Sequence, residues 1–146
     1  MTQTATRQHW MAVLARASRC EIEALLAQAG PQPEHEVLKA PETGTVMVEG
    51  RAGGAGRRFN LGEATVTRCV VRLGGGRMGF SYALGRDAGK ARLAAITDAL
   101  LQDESEAGPL RQGVGALAEK QQAARELASR KAAATKVDFF TLVRGG

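Results

Sequence analysis

The 146-residue sequence has the length of one domain, enough to bury a core without disulfide or metal staples. Hydrophobic residues make up 44%, charged residues 24% and aromatics only 4%, beside 18 glycines; this excludes a disordered chain and predicts a core of aliphatics and close backbone contacts rather than of rings. A net charge of +5 and a pI near 9.8 raise nucleic acid or an anionic ligand as partners, but six basic and two acidic residues between Arg111 and Lys136 carry most of that charge, spread around a helix without interleaved aromatics, so a solvated helical face is favoured.

The first zone, Thr4 to Ala29, reads as helical. Thr6, Trp10, Val13 and Leu14 recur at helical spacing, and Ile22, Leu25, Leu26 and Ala29 follow. Ser18 is placed to cap a second helix, with Glu21 three residues on completing a capping box, and Gly30-Pro31 stops it. Met1 to Gln8 lacks the charged and apolar stretches of a secretory signal, and no apolar run is long enough for a transmembrane helix.

The second zone, His35 to Leu84, reads as a β-meander of short strands: Glu36–Ala40, Thr45–Arg51, Arg58–Leu61, Thr65–Leu73 and Arg77–Leu84. Glycines at 53, 54 and 56 and the run Gly74-Gly75-Gly76 punctuate it as turns. The third zone is helical again. Asp87 is placed in the first turn of a helix whose stripe is Leu93, Ile96, Leu100 and Leu101; Asp103–Val114 reads as a linker and Gly115–Lys136 as a longer helix. The sum is an α+β domain, an antiparallel sheet of about four to five strands flanked by N-terminal and C-terminal helices, over residues 1–146: 1–30 helical, 35–84 β-meander, 86–146 helical with an apolar tail.

Two features point outwards. In the long helix only Leu117 and Leu127 are large aliphatics; alanine favours the helix but buries little area, so packing holds it weakly to its own domain and it is free to pack on a partner chain. The tail carries Phe139, Phe140, Leu142 and Val143, which either dock on the chain's own sheet or anchor in another subunit.

No catalytic constellation emerges. His9, His35, Cys20 and Cys69 lack metal-ligand spacing, the cysteines read as two reduced, buried thiols, and Gly79-Phe80-Ser81-Tyr82 is no nucleophile elbow. The segment Arg51-Ala52-Gly53-Gly54-Ala55-Gly56-Arg57-Arg58 could bind phosphate oxygens through backbone N–H groups and arginines, but it lacks the ending of a P-loop and leads into a strand, so a hairpin loop with solvated arginines is favoured. Gly85-Arg86-Asp87, opening a helix, is the other anion candidate. The ligand-binding candidates are thus Arg51, Gly53, Gly54, Arg58 and Arg86, and the interface candidates are Leu127, Phe139, Phe140, Leu142 and Val143.

A set of motifs in fixed order resembles the PhnG family: Thr6-Arg7-Gln8-x-Trp10-Met11, Glu42-Thr43-Gly44, Arg51-x-Gly53-Gly54-x-Gly56-x-Arg58-Phe59, Gly62-Glu63-Ala64-Thr65, Thr67-Arg68, Val71-Arg72-Leu73, Gly79-x-Ser81-Tyr82-x-Leu84-Gly85-Arg86-Asp87 and Val137-Asp138-Phe139-Phe140-Thr141-x-Val143-Arg144-Gly145. Asp103 to Lys136 carries none of them. The resemblance implies a cytoplasmic, non-catalytic core subunit of the carbon–phosphorus lyase complex, bound mainly to PhnI, with PhnH, PhnJ, PhnL and PhnK as further partners and two copies per complex. It implies a synthase step in which a phosphonate such as methylphosphonate displaces adenine from ATP. ATP and the phosphonate are then substrates of the complex, and this chain binds no cofactor of its own and neither membrane nor nucleic acid. The alternatives are a subunit lending Arg51, Arg58 or Arg86 to the triphosphate site, or a free-standing anion- or RNA-binding module.

Overall fold

A computed structural model describes residues 3–51, 58–103 and 107–145, with side chains at 6–47, 62–103 and 107–134. The elements in chain order are α1 (Gln3–Arg16), α2 (Arg19–Ala29), β1 (His35–Arg51), β2 (Arg58–Leu73), β3 (Met78–Leu84), α3 (Ala88–Leu101) and α4 (Gly108–Gly145). They fall into two units, Met1–Val114 and Gly115–Gly146.

The two N-terminal helices divide where local chemistry dictates. Ser18 Oγ accepts from the Glu21 N–H at 3.1 Å while Glu21 Oε1 accepts from the Ser18 N–H at 2.9 Å, a complete capping box. Gly30 ends α2 at φ +115°, a conformation that favours glycine.

The sheet is an antiparallel meander in the order β1-β2-β3. It has three strands rather than the four to five expected. The segments Glu36–Ala40 and Thr45–Arg51 fuse into β1, and Arg58–Leu61 and Thr65–Leu73 fuse into β2. Irregularities absorb the breaks: the register shifts between Val37 and Lys39 and between Lys39 and Glu42, a stretch that includes Pro41, and again between Val48 and Glu49. Proline is tolerated there because β1 is an edge strand whose N–H groups need not all pair. Gly76, at φ +92°, closes the β2–β3 turn, its N–H donating to the Leu73 carbonyl at 2.8 Å.

Helix α3 is buried on nearly every side, from Lys90 to Leu101, because the sheet lies against one face of it and α1 and α2 against the rest. Alanines 91, 94, 95 and 99 make its surface shallow, so the sheet approaches closely. At Gly79 a Cβ would run into the Ala95 carbonyl and lie 2.9 Å from Ala99 Cβ. Only glycine fits that crossing. Asp87 is the N-cap of α3 rather than a first-turn residue; its carboxylate accepts from the Lys90 N–H at 3.0 Å.

The segment 103–114 is not wholly a linker: α4 starts at Gly108, with Pro109 in its first turn, where the missing N–H costs nothing. Leu110 and Val114 are buried in the first unit. In the second unit the helix continues through 137–145, so the tail backbone is helical, while the side chains of Phe139, Phe140, Leu142 and Val143 lie outside the described residues. Every described side chain from 122 to 134 is exposed.

Candidate docking face

The strand β3 reverses the usual burial order. Its small residues, Gly79, Ser81 and Ala83, face α3 and are buried; its large ones, Met78, Phe80, Tyr82 and Leu84, face away and are each about 40% exposed. The shallow surface of α3 is the cause, because it leaves room beneath the sheet only for small side chains. Ser81 Oγ donates to the Ala91 carbonyl at 2.7 Å across that gap.

Antiparallel pairing sets the neighbours of this outward row. Met78 lies beside Arg72 and Glu36, Phe80 beside Val70 and Lys39, Tyr82 beside Arg68 and Glu42, and Leu84 beside Val66 and Gly44. Val66 is buried and Val70 half-buried. Arg72 pairs with Glu36 at 2.6 Å, and Lys39 with Glu42 at 3.7 Å. Arg68 is exposed and has no ion pair among the described residues, although Glu42 is its partner in register. Beside it lies a shallow cavity of about 170 Å³ lined by Lys39, Glu42, Thr43, Gly44 and Arg68.

The free edge of β3 is held at three points by side chains. Asp98, with no exposed surface, takes the Phe80 N–H at 2.9 Å, and it also accepts from Trp10 Nε1 at 2.7 Å, from Arg7 at 2.8 and 3.2 Å and from Gln102 at 3.3 Å. Gln102 donates to the Met78 carbonyl at 2.8 Å, and Lys90 Nζ to the Leu84 carbonyl at 3.1 Å. The Arg7 guanidinium also lies 5.5 Å from the Phe80 ring centroid, where it gains a cation–π contact. Asp98 raises the pKa of Arg7 through this hydrogen bond, so the guanidinium stays charged.

Lys90 is buried, and its ammonium reaches back to the Ala15 carbonyl at 3.0 Å, one of the last carbonyls of α1 that the helix cannot satisfy itself. Burial lowers its pKa, opposed by the charges of Asp87 and Glu21. Both cysteines are free; Cys69 is buried under α3, where desolvation pushes its thiol pKa up against the opposing charge of Arg92, but Cys20 is exposed, not buried as expected, since α2 turns it to solvent.

Of the ligand-binding candidates, Arg51 and Arg58 are cross-strand partners at one end of the β1–β2 ribbon, with their side chains outside the described residues, as are Gly53 and Gly54 entirely. Arg86 is exposed just after Gly85, whose N–H donates to the Thr65 carbonyl. That places it roughly 20 Å along the ribbon from the Arg51–Arg58 pair, at about 3.3 Å per residue, so the backbone does not gather the three arginines. Leu127 is 47% exposed in the second unit. Asp98, Lys90, Arg68 and the outward row of β3 were not among the site candidates read from the sequence, although Arg68, Tyr82 and Leu84 lie in motifs of the family resemblance. The alternation of large and small residues from Met78 to Leu84 is the signal that could have found the last of these. Among the described residues, no group of three potential ligands is placed to hold a metal ion, and no helix is long and apolar enough to cross a membrane.

The sheet of this small α+β domain is covered by helices on one face and presents a row of half-exposed large apolar side chains on the other. The chain belongs to the family described as phosphonate metabolism protein PhnG, which matches residues 5–145. It is also 46% identical, over 145 residues, to the alpha-D-ribose 1-methylphosphonate 5-triphosphate synthase subunit PhnG of Rhizobium meliloti (strain 1021), an alignment covering 97% of this chain and 90% of that relative.

Proposed function

We propose that this chain is a non-catalytic core subunit of a ribose 1-methylphosphonate 5-triphosphate synthase, assembled in the cytoplasm. Its task is to hold other subunits in place while the complex transfers the ribose triphosphate moiety of ATP to a phosphonate and releases adenine. PhnI is its main neighbour, with PhnH, PhnJ, PhnL and PhnK in the wider assembly and two copies of this chain per complex. The chain brings no cofactor; ATP and the phosphonate are substrates of the assembly. The observation that carries this reading is the open apolar row of β3 in a chain 46% identical to a named synthase subunit. The test is co-expression with the other subunits: they co-purify, the assembly releases adenine from ATP in the presence of methylphosphonate, and omission of this chain abolishes assembly. A lone chain that stays soluble and indifferent beside them overturns the proposal.

A second reading rests on the register of the ribbon. Arg51 opposite Arg58 sets like charges across the strands, which costs stability unless an anion lies between them. In that reading the pair reaches the triphosphate of ATP. Assembled complexes carrying Arg51→Ala or Arg58→Ala decide: a large loss of turnover with intact assembly favours it, and near-normal turnover favours the purely structural role.

A further inference from the structure

Resting on the subunit role above, we infer that the outward face of the sheet is the contact made with another subunit, and that the segment covering it carries an apolar ridge and one carboxylate, which pairs with Arg68. The row Met78, Phe80, Tyr82 and Leu84 runs about 20 Å along the strand at about 3.4 Å per residue. Four large apolar side chains in line, each about 40% exposed, form a patch of the kind that marks a protein contact.

The charges on the same face say what the occupant must bring. Glu36 and Arg72 neutralise one another, as do Lys39 and Glu42, and Arg7 is committed to Asp98. Arg68 stands beside Tyr82 in the middle of the face, without an ion pair among the described residues. Covering a guanidinium with an apolar surface alone leaves a desolvated, unpaired charge, which is strongly unfavourable. A carboxylate entering the cavity beside Arg68 removes that penalty; Lys39 and Glu42, which also line the cavity, pair with each other and leave the Arg68 charge as the unmatched one.

The held edge bears on how the occupant lies. Phe80 N–H and the carbonyls of Met78 and Leu84 already have side-chain partners, so a strand adding alongside β3 would have to displace them. The occupant therefore lies across the face.

The test compares wild type, Leu84→Asp, Arg68→Glu and Arg68→Lys, each co-expressed as the full chain with the other synthase subunits. Both positions are exposed, and unfolding curves of the lone chains control for folding. We expect Leu84→Asp and Arg68→Glu each to weaken co-purification by at least about tenfold while Arg68→Lys retains most of it, as loss of one partner of a desolvated charge pair requires. If wild type assembles and Leu84→Asp and Arg68→Glu assemble equally well, the inference falls and the subunit role stands. A wild type that does not assemble overturns both. If the lone chain dimerises and Leu84→Asp disperses the dimer, a second copy occupies the face and the inference is again overturned.

Discussion

The indole nitrogen of Trp10, on α1, lies 2.7 Å from a carboxylate oxygen of Asp98, on α3, 88 residues further along the chain. That bond joins α1 to the same carboxylate that holds the edge of β3, so one buried charge ties a helix, a helix and a strand. Asp98→Ala leaves the Trp10 and Phe80 N–H groups without an acceptor and the Arg7 guanidinium without its counter-charge. We expect a loss of about 3–5 kcal/mol, read as a lowered urea midpoint by the fluorescence of Trp10, the single tryptophan. Trp10→Phe, which removes one donor of several, should cost about 1–3 kcal/mol by far-UV circular dichroism.

Two glycines make opposite predictions from similar crowding. At Gly79 a new Cβ meets the backbone carbonyl of Ala95, which moves only if α3 lifts from the sheet. Gly79→Ala should destabilise by about 3 kcal/mol or more. At Gly113 a new Cβ meets the end of the Leu25 side chain, which can rotate away, and the helix gains a better former. Gly113→Ala should change stability by no more than about 1 kcal/mol in either direction. Thermal unfolding of the two variants side by side checks the contrast.

Ser18→Ala removes the acceptor for the Glu21 N–H and half of the capping box. The expected loss is about 1 kcal/mol, and amide exchange should quicken first at the start of α2 rather than in α3.

Lys90 gives the fold a pH dependence of known sign. Burial holds its folded-state pKa below the ordinary 10.5. Between the lowered value and 10.5 the unfolded chain keeps a proton that the folded chain releases, so this residue's contribution rises with pH through that window. It is complete above 10.5 and lost as pH falls through the folded pKa. Cys69, its pKa raised by burial, acts in the opposite direction above 9.0. Urea titrations at several alkaline pH values should show wild type gaining stability relative to Lys90→Met as pH rises, with the Cys69 effect common to both proteins.

What could be read in the sequence was what neighbouring residues settle among themselves. The break at Ser18 is written in a four-residue capping box, the β2–β3 turn in three consecutive glycines, and the family in ordered motifs from Thr6 to Gly145. The strand count was not readable, because Pro41-Glu42-Thr43-Gly44 looks like a turn until pairing with β2 shows it carried through by bulges. The start of α4 was hidden for a related reason: Pro109 signals a break in isolation yet fits the first turn of a helix. Asp98 gave no signal at all. Nothing in Ile96-Thr97-Asp98-Ala99 says that Trp10, Phe80 and Arg7 will converge on it, since only the packing of α1, β3 and α3 brings them together.

The side chains that hold β3 also limit what the protein can do with copies of itself. With Asp98, Gln102 and Lys90 holding three backbone groups on one margin of the sheet, the β1 margin is the readier one for backbone pairing among the described residues. Two molecules joined there have each spent that readier margin, so such an association favours a pair. A fibril needs a second sticky margin on every unit, and β3 supplies one only after those bonds are broken.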